Sequence, residues 1–352
     1  MSFKWLSVLV FAAATVSAQR LRFAGVNIAG FDFGCSTDGT CNIASACPPL
    51  TQFGCADGLG QMQHFVKNDG YNVFRLPVGW QYLTHSKMTG VLDKTQFANY
   101  NMLVNACLST GAYCVIDIHN YARYNGQIIG QGGPSNKIFA ELWSNIARHW
   151  KKERRIIFGL MNEPHDIPDI HTWVGSVQAA VTAIRRTGAT SQIILLPGND
   201  YTSAETFVSG GSADALNRVR NPDGTITNLV MDVHKYLDYD NSGAHATCST
   251  NGIESSWLPL LTWLRKNGRQ ALNTETGGGA DDSCVGYLLQ QIAYQAAHSD
   301  VFLGYIGWAA GAFQTDYTLS ETPHYTGTGW NDASVVSKAL SPKANRLVSS
   351  VA

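Results

Sequence analysis

Along the chain, eight short apolar runs alternate with longer segments of helical period. The runs are RLRFAGVN (20–27), NVFRLPV (72–78), AYCVIDIHN (112–120), RIIFGLMNEP (155–164), QIILLPGN (192–199), NLVMDVHKY (228–236), QALNTETG (270–277) and FLGYIGW (302–308). They are near-continuously apolar rather than alternating, the pattern of strands covered on both faces, as in a parallel sheet. Between them, residues 138–153, 173–188, 256–268 and 285–298 repeat their apolar positions every three to four residues and predict helices. Gly70, Gly111, Gly188 and Gly268 stand just past predicted helix ends, where a left-handed residue closes the last turn.

Eight strand-helix units without a Pro/Ser/Thr-rich linker or a change of composition predict an α/β fold, a single (β/α)8 TIM barrel. A doubly wound sheet is the competing arrangement. It is disfavoured because no G-x-G-x-x-G follows the first run and because eight strands suit closure. The Gly-rich pieces at 130–133 and 276–279 follow strand ends without opening helices, and are expected to shape loops.

Composition narrows the function classes. With 25 basic and 26 acidic side chains the net charge is -1, which argues against a nucleic-acid partner. Residues 1–18 read as a signal peptide, with Lys4 ahead of a short apolar stretch and small residues before Gln19. No segment is long enough to span a bilayer, so the expected product is a secreted, extracellular and monomeric protein whose mature part is residues 19–352. Eight cysteines suit an oxidising compartment, and their number alone allows any of about 105 pairings. A zinc site lacks a C-x-x-C or H-x-x-x-H spacing, and no N-x-S/T sequon is present.

In a (β/α)8 barrel the chemistry sits at the C-terminal ends of the strands, so the polar residues that close each run are the candidates. They are Arg75, His119 with Asn120, Asn162 with Glu163, His234 with Tyr236, Glu275 and Trp308. Glu163 and Glu275 fall on the fourth and seventh strands and would face each other across the mouth. Two carboxylates so placed are what glycosidic hydrolysis requires, one protonated and one ionised. Arg75 and Tyr236 could hold Glu275 ionised, Asn162 could bond a sugar 2-hydroxyl, and His119 and His234 could bond sugar or the glutamates. Trp308 could stack under a pyranose, with Trp80 and Tyr201 extending the platform. The two histidines would need a third convergent ligand to hold a metal, none is identifiable, and no cofactor is implied.

The motifs F-R-L-P-V, D-I-H-N-Y, M-N-E-P-H, V-H-K-Y, T-E-T-G-G-G and G-W closely resemble glycoside hydrolase family 5. G-V-N-I-A-G-F-D-F-G-C resembles that family's secreted fungal endo-β-1,4-glucanases. The likeness covers nearly all of residues 21–340. It implies retaining hydrolysis of β-1,4-glucan, with Glu163 as acid/base, Glu275 as nucleophile, and Arg75, His119, Asn162, His234, Tyr236 and Trp308 binding substrate around them. Spacing and resemblance together suggest the disulfides Cys35/Cys41, Cys47/Cys55, Cys107/Cys114 and Cys248/Cys284. Unlike many such relatives, the first strand follows the signal peptide almost at once, so no carbohydrate-binding module or linker is expected. The same machinery acting on mannan, xyloglucan or lichenan, and a non-catalytic glycan-binding barrel, are the alternatives.

Overall fold

A computed structural model describes residues 20–348; the signal-peptide assignment lies outside the described residues. Eight parallel strands close into a barrel: β1 (Phe23–Ala29), β2 (Val73–Val78), β3 (Tyr113–Ile118), β4 (Ile156–Gly159), β5 (Ile193–Pro197), β6 (Leu229–His234), β7 (Ala271–Thr276) and β8 (Phe302–Gly311). Each pairs with the next in sequence, and β8 pairs with β1. The helices that follow are α1 (Gly58–His64), α2 (Lys94–Ser109), α3 (Asn136–Trp150), α4 (Ile170–Arg186), α5 (Ser212–Leu216), α6 (Leu258–Asn267), α7 (Asp282–Ala297) and α8 (Pro342–Val348).

Local sequence accounts for these elements. Side chains of Asp57, Asp93, Ser135, Asp169 and Asp281 accept from free N–H groups at the starts of α1, α2, α3, α4 and α7. Gly70, Gly111, Gly188 and Gly268 all have φ between +63° and +94°, the conformation that ends a helix and that glycine adopts without strain. Helix α3 buries Phe139, Leu142, Trp143, Ile146 and Trp150, a stripe at helical spacing laid against the strands.

The barrel interior is divided by the period of two along each strand. Ten buried apolar side chains, among them Phe23, Val73, Val115, Val230 and Leu272, plug the end where the strands begin. Two positions further on, the inward side chains become Arg75, Asp117, Asp232 and Thr274, and four beyond Phe23 stands Asn27. A strand that looks uniformly apolar in sequence therefore has an oily floor and a polar layer above it. Four disulfides join Cys35–Cys41, Cys47–Cys55, Cys107–Cys114 and Cys248–Cys284, and no cysteine is free. Among the described residues, no helix is long and apolar enough to cross a membrane.

Candidate active site

Arg75 is the hub of the polar layer. Its guanidinium is fully buried and donates to Glu275 Oε1, to Asn27 Oδ1 at 3.0 Å and to Asn162 Oδ1 at 2.7 Å, and lies 3.1 Å from Asp117 Oδ1. Burial works against its charge, but Asp117 and Glu275 outweigh that and push its pKa up. Asp117 is in turn desolvated, yet the Arg75 charge and the His119 hydrogen bond hold its pKa below the usual range. Glu275 is thereby fixed in orientation: Arg75 bonds one oxygen, and the Tyr236 hydroxyl donates to the other at 2.9 Å. Asn162 gives its oxygen to Arg75 and keeps a buried Nδ2 without a protein partner.

Glu163 meets a different environment. It follows Asn162 beyond the end of β4, with φ +42°, a left-handed value uncommon for a residue with a side chain. Desolvation dominates and pushes its pKa up to about 7, although His119 and Arg75 pull the other way. Glu163 Oε1 lies 2.7 Å from His234 Nδ1, and the same nitrogen is 3.5 Å from Glu275 Oε2. One oxygen of each glutamate and a ring nitrogen of His234 all lie within 4.8 Å of one another. His234 itself is buried, and desolvation pushes its pKa down, favouring the neutral ring.

The mouth opens into a cleft of about 770 Å³ lined by Tyr121, Glu163, Tyr201, Tyr236, Glu275 and Trp308, among others. Trp308, half-buried, stacks on His119 with centroids 5.4 Å apart and planes 11° from parallel. His119 is held from behind by Asp117 at 2.8 Å; burial lowers its pKa, but the carboxylate more than restores it, so the net shift is upward. Asn120 is structural: its Oδ1 accepts from the Trp80 N–H and its Nδ2 donates to Gln81. Tyr201 is exposed and stacks on His165 with centroids 4.5 Å apart. Trp80, expected beside it, is instead fully buried. It opens a short helical turn, Trp80–Thr84, its Nε1 donates to Thr89 O, and its ring packs against Tyr124 and Phe139.

Residues not singled out from the sequence stand directly behind those that were. Asp117 and Asp232 both occur as D-x-H, with His119 and His234 two residues on. That spacing points both members of each pair into the barrel, so it was a readable signal. Thr274 is inward by the same period, two residues after Leu272, and what the period does not give is Glu275 beside it. Neighbouring strand residues ordinarily point to opposite faces, and here a register shift between β6 and β7 lets both reach the mouth. Among the described residues, Glu163/His234/Glu275, His64/Asp69/Asp332 and Asp238/Asp240/His245 are spaced as a metal ion would require. In the first group the donor atoms are turned toward one another and toward Arg75 and Tyr236.

This geometry coincides with a match of residues 31–314 to the family model described as Cellulase (glycosyl hydrolase family 5). The chain belongs to glycoside hydrolase family 5. Among family members, Endoglucanase EG-II of Hypocrea jecorina is 58% identical over 331 residues, 93% of this chain and 79% of that one. Endoglucanase 1 of Saitozyma flava is 48% identical over 304 residues, 86% and 85% of the two chains. The crystal structure of Cel5A (EG2) from Hypocrea jecorina superposes with a TM-score of 0.90 at 58% identity, covering 92% of this chain and 99% of that one. A family 5 barrel is a retaining glycoside hydrolase.

Proposed function

We propose that this family 5 hydrolase is a secreted endo-β-1,4-glucanase in which Glu163 is the acid/base and Glu275 the nucleophile. The observation that carries the assignment is the approach of the two carboxylates, one oxygen of each within 4.8 Å of the other. Retaining enzymes hold their carboxyl groups about 5–5.5 Å apart, whereas inverting enzymes need about 6.5–9.5 Å to admit a water. The roles within the pair follow from environment. Glu275 is bonded through both oxygens by a guanidinium and a phenol, which aim its carboxylate for attack. Glu163, half-buried and with a pKa of about 7, holds a proton that it can give to the departing glycosidic oxygen.

In the first step the Glu275 carboxylate attacks the anomeric carbon, the glycosidic bond breaks, and the Glu163 proton goes to the leaving oxygen. In the second, Glu163, now a carboxylate, takes a proton from water as that water displaces Glu275. Asn162 Nδ2 is free to bond the 2-hydroxyl of the sugar under attack, a contact that strengthens as positive charge develops. Trp308, braced by His119, supplies an apolar face for a neighbouring ring. Relatives named endo-beta-1,4-glucanase B support β-1,4-glucan as the polymer. An activated 2-fluoro-cellobioside tests the roles: it should label the peptide carrying Glu275 alone. Label on Glu163, or release of the inverted anomer, would overturn them. Faster cleavage of mannan than of β-1,4-glucan would move the assignment to another polymer.

A further inference from the structure

The Glu163 carboxyl is the near end of a string of buried hydrogen bonds that runs away from the mouth. Glu163 Oε1 is 2.7 Å from His234 Nδ1, and His234 Nε2 is 2.9 Å from Thr274 Oγ1. The Thr274 hydroxyl donates to Asp232 Oδ1. His234, Thr274 and Asp232 are each nearly or wholly removed from solvent, so water does not compete for these positions.

The direction of each bond is constrained by the far end. A threonine hydroxyl has one proton, and Thr274 gives it to Asp232. Its oxygen can therefore only accept from His234, which places the ring proton on Nε2. A neutral His234 then presents a lone pair at Nδ1, and the bond to Glu163 exists only if the glutamate supplies the proton. The opposite tautomer, with the proton on Nδ1, would instead bond the Glu163 carboxylate and favour loss of the proton that the acid must donate.

Resting on the assignment of Glu163 as acid/base, we infer that Thr274 and Asp232 are positioning residues that fix the His234 tautomer and thereby keep Glu163 protonated before bond cleavage. The other charged or titratable groups around this pair are Arg75 from β2, Asp117 and His119 from β3, Tyr121 beyond β3, His165 beyond Glu163, Tyr201 beyond β5, Tyr236 beyond β6 and Glu275 from β7. None of them reaches His234 Nε2, whose hydrogen-bond partner is Thr274. They set the field in which Glu163 titrates, and Thr274 sets which form His234 can bond.

The test is the pH dependence of kcat/KM on a soluble β-1,4-glucan for the full enzyme and for Thr274→Val and Thr274→Ser. Valine keeps the branched shape and removes the hydroxyl, freeing the ring to flip tautomer. Its alkaline limb should move to lower pH by roughly one unit, and serine should restore it. Nitrogen-15 NMR of labelled histidine should find Nδ1 unprotonated in the wild type and in Thr274→Ser, with protonated Nδ1 appearing in Thr274→Val. If Thr274→Val proves unstable, Asp232→Asn is the second variant; its amide oxygen accepts more weakly, and the limb should move the same way by less. An alkaline limb unmoved in folded Thr274→Val, or a wild-type ring already protonated at Nδ1, would overturn the inference. Failure of the underlying assignment looks different: Glu163→Gln would then lose activity equally on glucan and on aryl glycosides whose leaving group needs no proton.

Discussion

Replacing Glu163 by glutamine should make the protein more stable at neutral pH while disabling it. The glutamate side chain has a pKa of about 7 in the folded state against an ordinary value of 4.5. Below 4.5 it is protonated whether the chain is folded or not, and the site carries no electrostatic penalty. As pH rises through the window from 4.5 to 7, the unfolded chain releases its proton while the folded one retains it, so stability falls. Above 7 both are ionised and the loss is complete. A difference of about 2.5 pKa units corresponds to about 3 kcal/mol. Glutamine does not titrate, and its amide can donate to His234 Nδ1 as the protonated acid does. The stability difference between variant and wild type should therefore grow by about 3 kcal/mol in favour of the variant between pH 4 and pH 7.5. With a urea dependence of about 3 kcal/mol per molar, the midpoints should separate by roughly 1 M. The assay is equilibrium unfolding at fixed ionic strength with the disulfides intact. Other buried acids titrate in both proteins and cancel. Profiles that stay parallel across the window would refute the reasoning, as would a variant that loses ground to the wild type as pH rises.

Glu321 offers the same logic outside the mouth. Its carboxyl is buried with neither oxygen hydrogen-bonded, and desolvation pushes its pKa well above the usual range, so Glu321→Gln should also gain stability over wild type as pH rises above about 4.5; its glucanase activity at low pH provides the check that the site is intact. Arg75→Lys should lower kcat at least about 100-fold, because a single ammonium cannot serve Glu275, Asn162, Asn27 and Asp117 together, and steady-state kinetics beside thermal unfolding would separate that loss from misfolding. Removing Cys248–Cys284 by a double serine substitution should cost about 4 kcal/mol, since the bridge closes a loop of 36 residues' separation, against about 2 for Cys35–Cys41; calorimetry of the two variants decides the order. On a soluble glucan, viscosity should fall well before reducing ends accumulate, and a proportional fall would point to attack from chain ends.

The barrel was legible because its strands announce themselves twice, by apolar content and by the polar residue that ends each run. Closure then brings Arg75, Asn162, Glu163, His234 and Glu275, drawn from strands 2, 4, 6 and 7, into mutual contact or within one residue of it. What escaped the sequence was anything decided by the third dimension within a strand. Glu275 joins its neighbour Thr274 at the mouth through a register shift that no pattern encodes. Trp80 is apolar, aromatic and close to the rim in sequence, and only the turn it opens shows that its ring belongs to the wall. Asp117 and Asp232 lay in plain view as D-x-H, but a carboxylate inside a run of apolar residues has meaning only once a buried guanidinium or hydroxyl is found beside it.

The apolar plug has a consequence for the traffic of small molecules. Among the described residues, side chains such as Phe23, Val115 and Leu272 fill one end of the barrel, and the cleft opens at the other. The departing half of a cut chain leaves by the side through which the next reactant arrives, and for a time it stands in that reactant's way. The order in which water and sugar cross this threshold then decides the product. A sugar hydroxyl that settles against the sugar-bound enzyme ahead of water would be joined to it, and the protein would lengthen a chain it had just shortened.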